Sequence, residues 1–307
     1  MRSRFRGITV REGVLVRGPS GWGEFSPFWD YDVTEARRWW TSALEAAAGD
    51  WPAPLRDRIP VNCTVPAVDA ATAQGIVGRS GCGTAKVKVA EQGQPLADDV
   101  ERVAAVRDAL GPAGAVRVDA NGAWSVDEAV RAIGELDRAA SGLEYVEQPC
   151  ASVAELAAVR RRVDVPIAAD ESIRRAEDPL RVALAGAVDI AVLKVAPLGG
   201  VRRALAVAAA CGLPVVVSSA LETSVGLAAG VALAAALPSL PYACGLATTS
   251  LLDGDVSTQP LVPVGGFLPV RPVNADLLGE VAADEETARR WHQRLAAVTG
   301  LALRPVR

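Results

Sequence analysis

Val116-Arg117-Val118-Asp119-Ala120-Asn121 is a short, mostly apolar run that ends in a carboxylate, and a helix signal follows it at once, Ser125 with Glu128 three residues on. The pattern recurs in Tyr145-Val146-Glu147-Gln148-Pro149 and Ile167-Ala168-Ala169-Asp170-Glu171-Ser172. Asp119 and Glu147 are 28 residues apart, and Glu147 and Asp170 are 23 apart, one βα unit each time. Outward from these three units the same rhythm runs from about Ile59 to Ala247. Strands are expected near 59–64, 84–90, 115–120, 143–147, 165–170, 188–195, 214–219 and 242–246. Helices are expected near 67–79, 98–110, 126–139, 152–162, 175–186, 200–211 and 223–236, with stops at Gly111-Pro112 and at Gly212 with Pro214. Eight strands and seven helices indicate an α/β chain with a parallel (β/α)7β barrel of TIM type. An open doubly wound sheet would usually carry a Gly-rich phosphate loop after its first strand, and Asn62-Cys63-Thr64-Val65-Pro66 is not one.

The ends break the rhythm. Residues 7–25 read as an antiparallel pair, a helix follows around 33–48, and residues 261–307 are Pro-rich and then helical from about 285 to 299. The expected division is an α+β capping domain built from residues 1–57 plus 261–307, on a barrel of residues 58–260. Composition narrows the chemistry. The chain has 307 residues, 50% of them hydrophobic and 22% charged, which is globular. A net charge of −4 gives no footprint for nucleic acid. His292 is the one histidine, so no multi-histidine metal site exists and a Ser-His-Asp site is implausible. Five cysteines without a CxxC pair read as buried residues or free thiols of a reducing compartment. The basic N-terminus lacks an apolar h-region, and the most apolar stretch, 225–237, is stopped by Pro238 and is too short to span a bilayer. A soluble cytoplasmic chain without membrane or nucleic-acid partners is expected; the oligomeric state is not legible.

In a parallel barrel the helix-covered face of each strand is apolar, so polar residues point inward. In Thr84-Ala85-Lys86-Val87-Lys88-Val89 this sends both lysines to the interior. Unpaired ammonium groups are too costly to bury there, and two adjacent ones lower each other's pKa toward that of a general base. A solvated edge strand is the plain alternative. Asp119, Glu147 and Asp170 in phase at one end of the barrel make three hard oxygen ligands, which suit Mg²⁺. A single strand-end Asp is more often a helix cap, but three together would repel without a cation. Lys194 follows Asp170 by 24 residues and shares that mouth, across from Lys88. A lysine on each side of a divalent ion suits removal of a proton α to a carboxylate, with the metal stabilising the enediolate.

Lys86-x-Lys88, Asp119-Ala-Asn121, Glu147-Gln-Pro149, Asp170-Glu-Ser172 and Lys194, in this order, resemble the enolase superfamily, muconate-lactonizing subgroup. Gly21-Trp22-Gly23-Glu24-Phe25-Ser26-Pro27-Phe28, Asn62-Cys-Thr-Val-Pro66 and Ser218-Ser219-Ala-Leu-Glu222-Thr-Ser-Val-Gly226 bring the resemblance nearest to its o-succinylbenzoate synthase family, of actinobacterial type. The resemblance covers essentially the whole chain and implies a capping domain on a (β/α)7β barrel. It implies Mg²⁺, with Mn²⁺ able to substitute, on Asp119, Glu147 and Asp170, and an acid/base Lys88 tuned by Lys86. Lys194 would support the enediolate by its charge. Ser219 and the backbone around Ala220, Leu221 and Glu222 would hold the substrate's succinyl carboxylate, with Asn121, Trp22 and Phe25 also near the substrate and the cap segment 21–32 closing over it. The implied reaction is syn-dehydration of 2-succinyl-6-hydroxy-2,4-cyclohexadiene-1-carboxylate to 2-succinylbenzoate, in menaquinone biosynthesis.

Two features depart from the pattern. The capping domain is short, and Asp253-Gly254-Asp255 resembles the Asp pair with which dipeptide epimerases bind an ammonium group, although Gly254 makes a turn the simpler reading. The alternative activity is N-succinylamino acid (N-acylamino acid) racemase, because one lysine pair serves either face. Mandelate-racemase-type members need a barrel histidine, and His292 falls in the C-terminal helix. A non-catalytic binding barrel would have lost a ligand or a lysine, and none is lost.

Overall fold

The computed structural model of the chain describes residues 1–2, 8–174 and 186–300. Four strands precede the first barrel helix: β1 (Val14–Arg17), β2 (Trp22–Phe25), β3 (Arg58–Pro60) and β4 (Cys63–Val65), with helix α1 (Val33–Ala48) after β2. Then β5 (Thr84–Lys88), β6 (Ala115–Asp119), β7 (Val146–Glu147), β8 (Ile167–Ala169), β9 (Ile190–Leu193) and β10 (Val215–Val217) alternate with helices. The helices are α2 (Ala70–Ser80), α3 (Leu96–Leu110), α4 (Val126–Ala140), α5 (Val153–Arg160), α6 (Glu171–Arg174), α7 (Val195–Leu198), α8 (Val201–Cys211) and α9 (Ser224–Ala236). Strand β11 (Phe267–Pro269) and helix α10 (Glu285–Thr299) end the described chain. None of the described helices is long and apolar enough to cross a membrane.

Strands β4 to β10 form one sheet in sequence order, and every neighbouring pair is parallel. All four residues of β9 are buried, as expected of a strand covered on both faces. The eighth strand expected at 242–246 is reduced to two bridges, Val61 with Cys244 and Ser218 with Gly245. Those bridges join the two edges, because Asn62 N–H donates to Cys244 O at 3.0 Å and Gly245 N–H to Val217 O at 2.8 Å. Pro238 and Pro241, which cannot donate to a ladder, lead into this segment, and Gly245 within it weakens strand pairing. The strand expected over 59–64 is split. Arg58–Pro60 leaves the barrel and pairs antiparallel with β11, Ile59 opposite Leu268, and Pro60 ends that ladder. The Pro-rich reading of 261–307 gave no hint of β11. The short α6 and α7 were also not expected, and the helix expected over 175–186 lies outside the described residues apart from Gly186.

The covering helices follow their sequence signals. Helix α4 starts in the capping box of Ser125 and Glu128 and buries Ala129, Ala132, Ile133, Leu136 and Ala140, an i, i+3, i+4 stripe. At the other end of the molecule, β1 and β2 pair antiparallel. Phe25 is fully buried edge-on to Trp40 and Trp291, with centroids at 5.8 and 5.9 Å. Trp39 and Ala43 of α1, Trp291, Leu295 and Val298 of α10, and Ala196, Ala220, Leu221 and Leu251 from the barrel share this core. The N- and C-terminal segments therefore pack together, and their core runs onto the loops at the barrel mouth.

Gly23 is required by close approach. A Cβ there would stand 1.9 Å from the carbonyl oxygen of Ala43, which lets β2 lie directly on α1. Gly23→Ala is expected to destabilise the chain by about 3 kcal/mol, at the upper end of overpacking costs. Urea unfolding should show a lower midpoint at unchanged slope, and an unaltered midpoint would contradict the packing.

Candidate active site

Strand alternation on β5 buries Ala85 and Val87 and sends Lys86 and Lys88 into the barrel, as the sequence predicts. Register sets the rest of the cluster: Lys88 lies opposite Asp119, and Asp119 opposite Glu147. Lys86 Nζ donates to Asp119 Oδ2 at 3.1 Å and to both Glu147 oxygens at 3.0 Å. Lys88 Nζ donates to Asp119 Oδ2 at 2.6 Å and to Asn121 Oδ1 at 2.7 Å. Lys194, directly after β9, pairs with Asp170 Oδ2. Strands β6, β7 and β8 separate β5 from β9, so Lys88 and Lys194 stand on opposite walls. The three carboxylates are each 1% exposed.

Burial disfavours the charged forms of Lys86, Lys88, Asp119 and Glu147, and charged neighbours either offset that or add to it. Burial works against the charge on Lys86, but Glu147 and Asp119 outweigh it and hold the pKa above the usual lysine value. For Lys88 burial prevails, Asp119 opposes it, Lys86 adds to it, and the pKa is lowered. Asp119 is held low because Lys88 and Lys86 overcome burial. Glu147 is pushed up to about 7, by burial first and then by the charge of Asp119, with Asp170 contributing. The donor set, three hard oxygens without sulfur or imidazole, fits Mg²⁺ or Mn²⁺. Among the described residues no three His, Cys, Asp or Glu side chains converge on one point as they stand. To surround an ion, Asp119, Glu147 and Asp170 would have to swing off the lysine ammoniums.

Thr64, Lys86, Lys88, Asn121, Lys194, Ser218, Ser219, Ala220, Leu221, Gly245, Thr248 and the cap residue Phe28 line a small space of about 30 Å³. Ser219 Oγ lies 2.6 Å from Thr248 Oγ1 and donates to Glu222 Oε2 at 2.8 Å. Glu222 is buried behind the wall and accepts from Ala220 N–H, while Leu221 N–H donates to Ser219 Oγ. Of the backbone around Ala220, Leu221 and Glu222 expected to receive a carboxylate, the Ala220 and Leu221 N–H groups are thus already engaged, and Ser219 and Thr248 line the space beside them. Leu221 holds the left-handed φ of +66° that turns this loop across the mouth.

Two expected substrate contacts are placed elsewhere. Phe25 is in the cap core, and Trp22 lies under the Arg17 guanidinium at 5.7 Å and lines a different cleft. Alternation on β2 turns Phe25 toward α1 and α10, so Phe28, beyond the strand, is the aromatic that reaches the mouth. Thr64 and Thr248 are not singled out by the sequence. Thr64 had a signal, since it pairs with Lys86 and shares its inward phase. Asp253 pairs with the Met1 amino group at 2.9 Å, and Asp255 accepts from Ser224 N–H and Oγ at the start of α9, so neither faces the mouth. All five cysteines are unpaired.

Comparison with known proteins gives the family. Residues 68–274 match the family described as enolase C-terminal domain-like, and residues 1–47 match the enolase N-terminal domain-like family. A Thermobifida fusca protein named o-succinylbenzoate synthase is 68% identical over 299 residues, covering 97% of this chain and 93% of that one. The Mycolicibacterium smegmatis protein of the same name is 58% identical over 304 residues, covering 98% and 93%. Among solved structures, muconate lactonizing enzyme from Pseudomonas fluorescens complexed with muconolactone superposes with a TM-score of 0.72 at 25% identity, over 88% of this chain and 87% of that one. The chain belongs to the enolase superfamily and, within it, to the o-succinylbenzoate synthase family.

Proposed function

We propose that the chain dehydrates 2-succinyl-6-hydroxy-2,4-cyclohexadiene-1-carboxylate to 2-succinylbenzoate, in menaquinone biosynthesis. The observation that carries this is Lys88, bonded to buried Asp119 at 2.6 Å and across the barrel from the Lys194–Asp170 pair, in a chain 68% identical to a synthase of that name. Asp119, Glu147 and Asp170 would hold Mg²⁺. When bound, that ion would neutralise charge building on the substrate carboxylate as its α-proton leaves.

Lys88 Nζ, whose pKa burial lowers, takes the α-proton in its uncharged form. The C6–O bond then breaks with its electron pair on oxygen, and the same lysine returns the proton, so water departs from the face on which the base acted. The ring becomes aromatic, which supplies much of the driving force. Lys194 contributes positive charge on the far side, and Lys86 anchors Asp119 and Glu147. Ser219, with Asn121 and the loop Ala220–Glu222, would receive the succinyl end. The unpaired cysteines support a reducing, cytoplasmic setting. Residues 1–57 with 261–307 would act as the cap, on a barrel of residues 58–260.

The placement of Lys88 and Lys194 on opposite walls favours a second activity, racemisation of N-succinylamino acids, in which each lysine serves one face. Incubating the purified protein with Mg²⁺ and each substrate in D₂O separates the readings. Formation of 2-succinylbenzoate is expected. Deuterium entry into the amino acid without any 2-succinylbenzoate from the diene would make the racemase the function.

A further inference from the structure

We propose that Arg11 is a positioning residue that fixes the Phe28 side of the mouth against the Ala220–Leu221 side; this rests on the synthase reading for its kinetic consequence. Its half-buried guanidinium lies between the two walls. Nε donates to Leu221 O at 3.0 Å and Nη2 to Ala220 O at 3.4 Å, both on the barrel loop. Nη2 also donates to Ser26 O and, at 3.1 Å, to Ser26 Oγ on the cap, and the guanidinium carbon stands 4.5 Å from the centre of the Phe28 ring. Ala220, Leu221 and Phe28 all line the space beside Lys88 and Lys194.

A second connection runs in parallel. Ser26 Oγ donates to Glu24 Oε1 at 2.6 Å, and Glu24 accepts from Thr223 N–H and Gly226 N–H, both at 3.1 Å. Glu24 thereby caps α9, whose N-cap Thr223 gives no side-chain cap of its own. Arg11 and Glu24 thus hold the loop 219–223 from the cap side, on both flanks of the left-handed Leu221. A non-glycine residue in that conformation persists only where its surroundings determine it. One planar, five-donor group satisfies carbonyls from both layers, which a lysine cannot reproduce.

The test is Arg11→Gln, with Arg11→Lys as the conservative variant, read by steady-state kinetics and by hydrogen–deuterium exchange without substrate. Arg11 touches none of the proton-carrying groups. Loss of its charge-assisted bonds should therefore raise KM about tenfold in Arg11→Gln while kcat stays within about threefold, with Arg11→Lys in between. Peptides over 26–31 and 219–223 should exchange faster in Arg11→Gln, and those over β5–β8 should not change. An unchanged KM, or a kcat that falls at constant KM, overturns the role, as does unaltered exchange in 219–223. If the wild-type chain fails to dehydrate the diene yet both peptides loosen in the variant, the positioning role stands and the synthase reading falls.

Discussion

Lys88→Ala should lower dehydration by about 10³-fold or more, within the range that a positioned general base contributes and with the return of the proton to the leaving hydroxide also lost. The neighbours offer no replacement. Lys86 is pinned by Asp119 and Glu147 with its pKa raised, and Lys194 stands on the opposite wall. Lys194→Arg provides the contrast, since arginine keeps the charge but is no base near neutral pH. It should abolish racemisation, which needs a proton carrier on each face, and leave measurable dehydration. Comparing kcat for the two variants on both substrates checks the assignment. An active Lys88→Ala beside a Lys194→Arg that stops α-proton exchange would put the base on β9 rather than β5.

Removing a carboxylate should cost a similar amount. Asp119→Asn and Asp170→Asn each keep the shape and remove one negative charge from the set proposed to hold the divalent ion. Metal-based charge stabilisation amounts to several kcal/mol, and about 4 kcal/mol corresponds to a roughly 10³-fold loss in kcat. A structure of the Mg²⁺-loaded protein should show Asp119, Glu147 and Asp170 oxygens about 2.0–2.1 Å from one ion. Manganese titration followed by electron paramagnetic resonance should find one tight site per chain, weakened in both variants. Wild-type affinity with full turnover in Asp170→Asn would remove it from the ligand set.

The barrel was legible because most of its strands repeat one arrangement, a buried apolar run with a polar residue in or just after it and then a helix. Asp119, Glu147 and Asp170 sit where that phase puts them, and Lys86 and Lys88 share one side of β5 for the same reason. The phase of a strand says nothing of where it stops pairing. Hence 59–64 divides at Pro60 between two sheets, and the segment at 242–246 keeps only two bridges, at Cys244 and Gly245. The cap was read correctly as helix and hairpin, but its contacts with the mouth were not. Phe25 satisfies alternation by entering the cap core, and Phe28 lies on an irregular loop held by Arg11 and Arg294, to which no sequence period applies. Thr248 lies in a 3-10 turn and is equally without a period.

The most direct test takes purified chain through exhaustive chelation, adds the diene carboxylate, and follows 2-succinylbenzoate before and after Mg²⁺ is restored. No product before addition and full turnover after it, with Lys88→Ala silent under both conditions, is the expected result. Full turnover in the chelated protein, or none after Mg²⁺ is returned, would contradict a metal-assisted dehydration at this mouth.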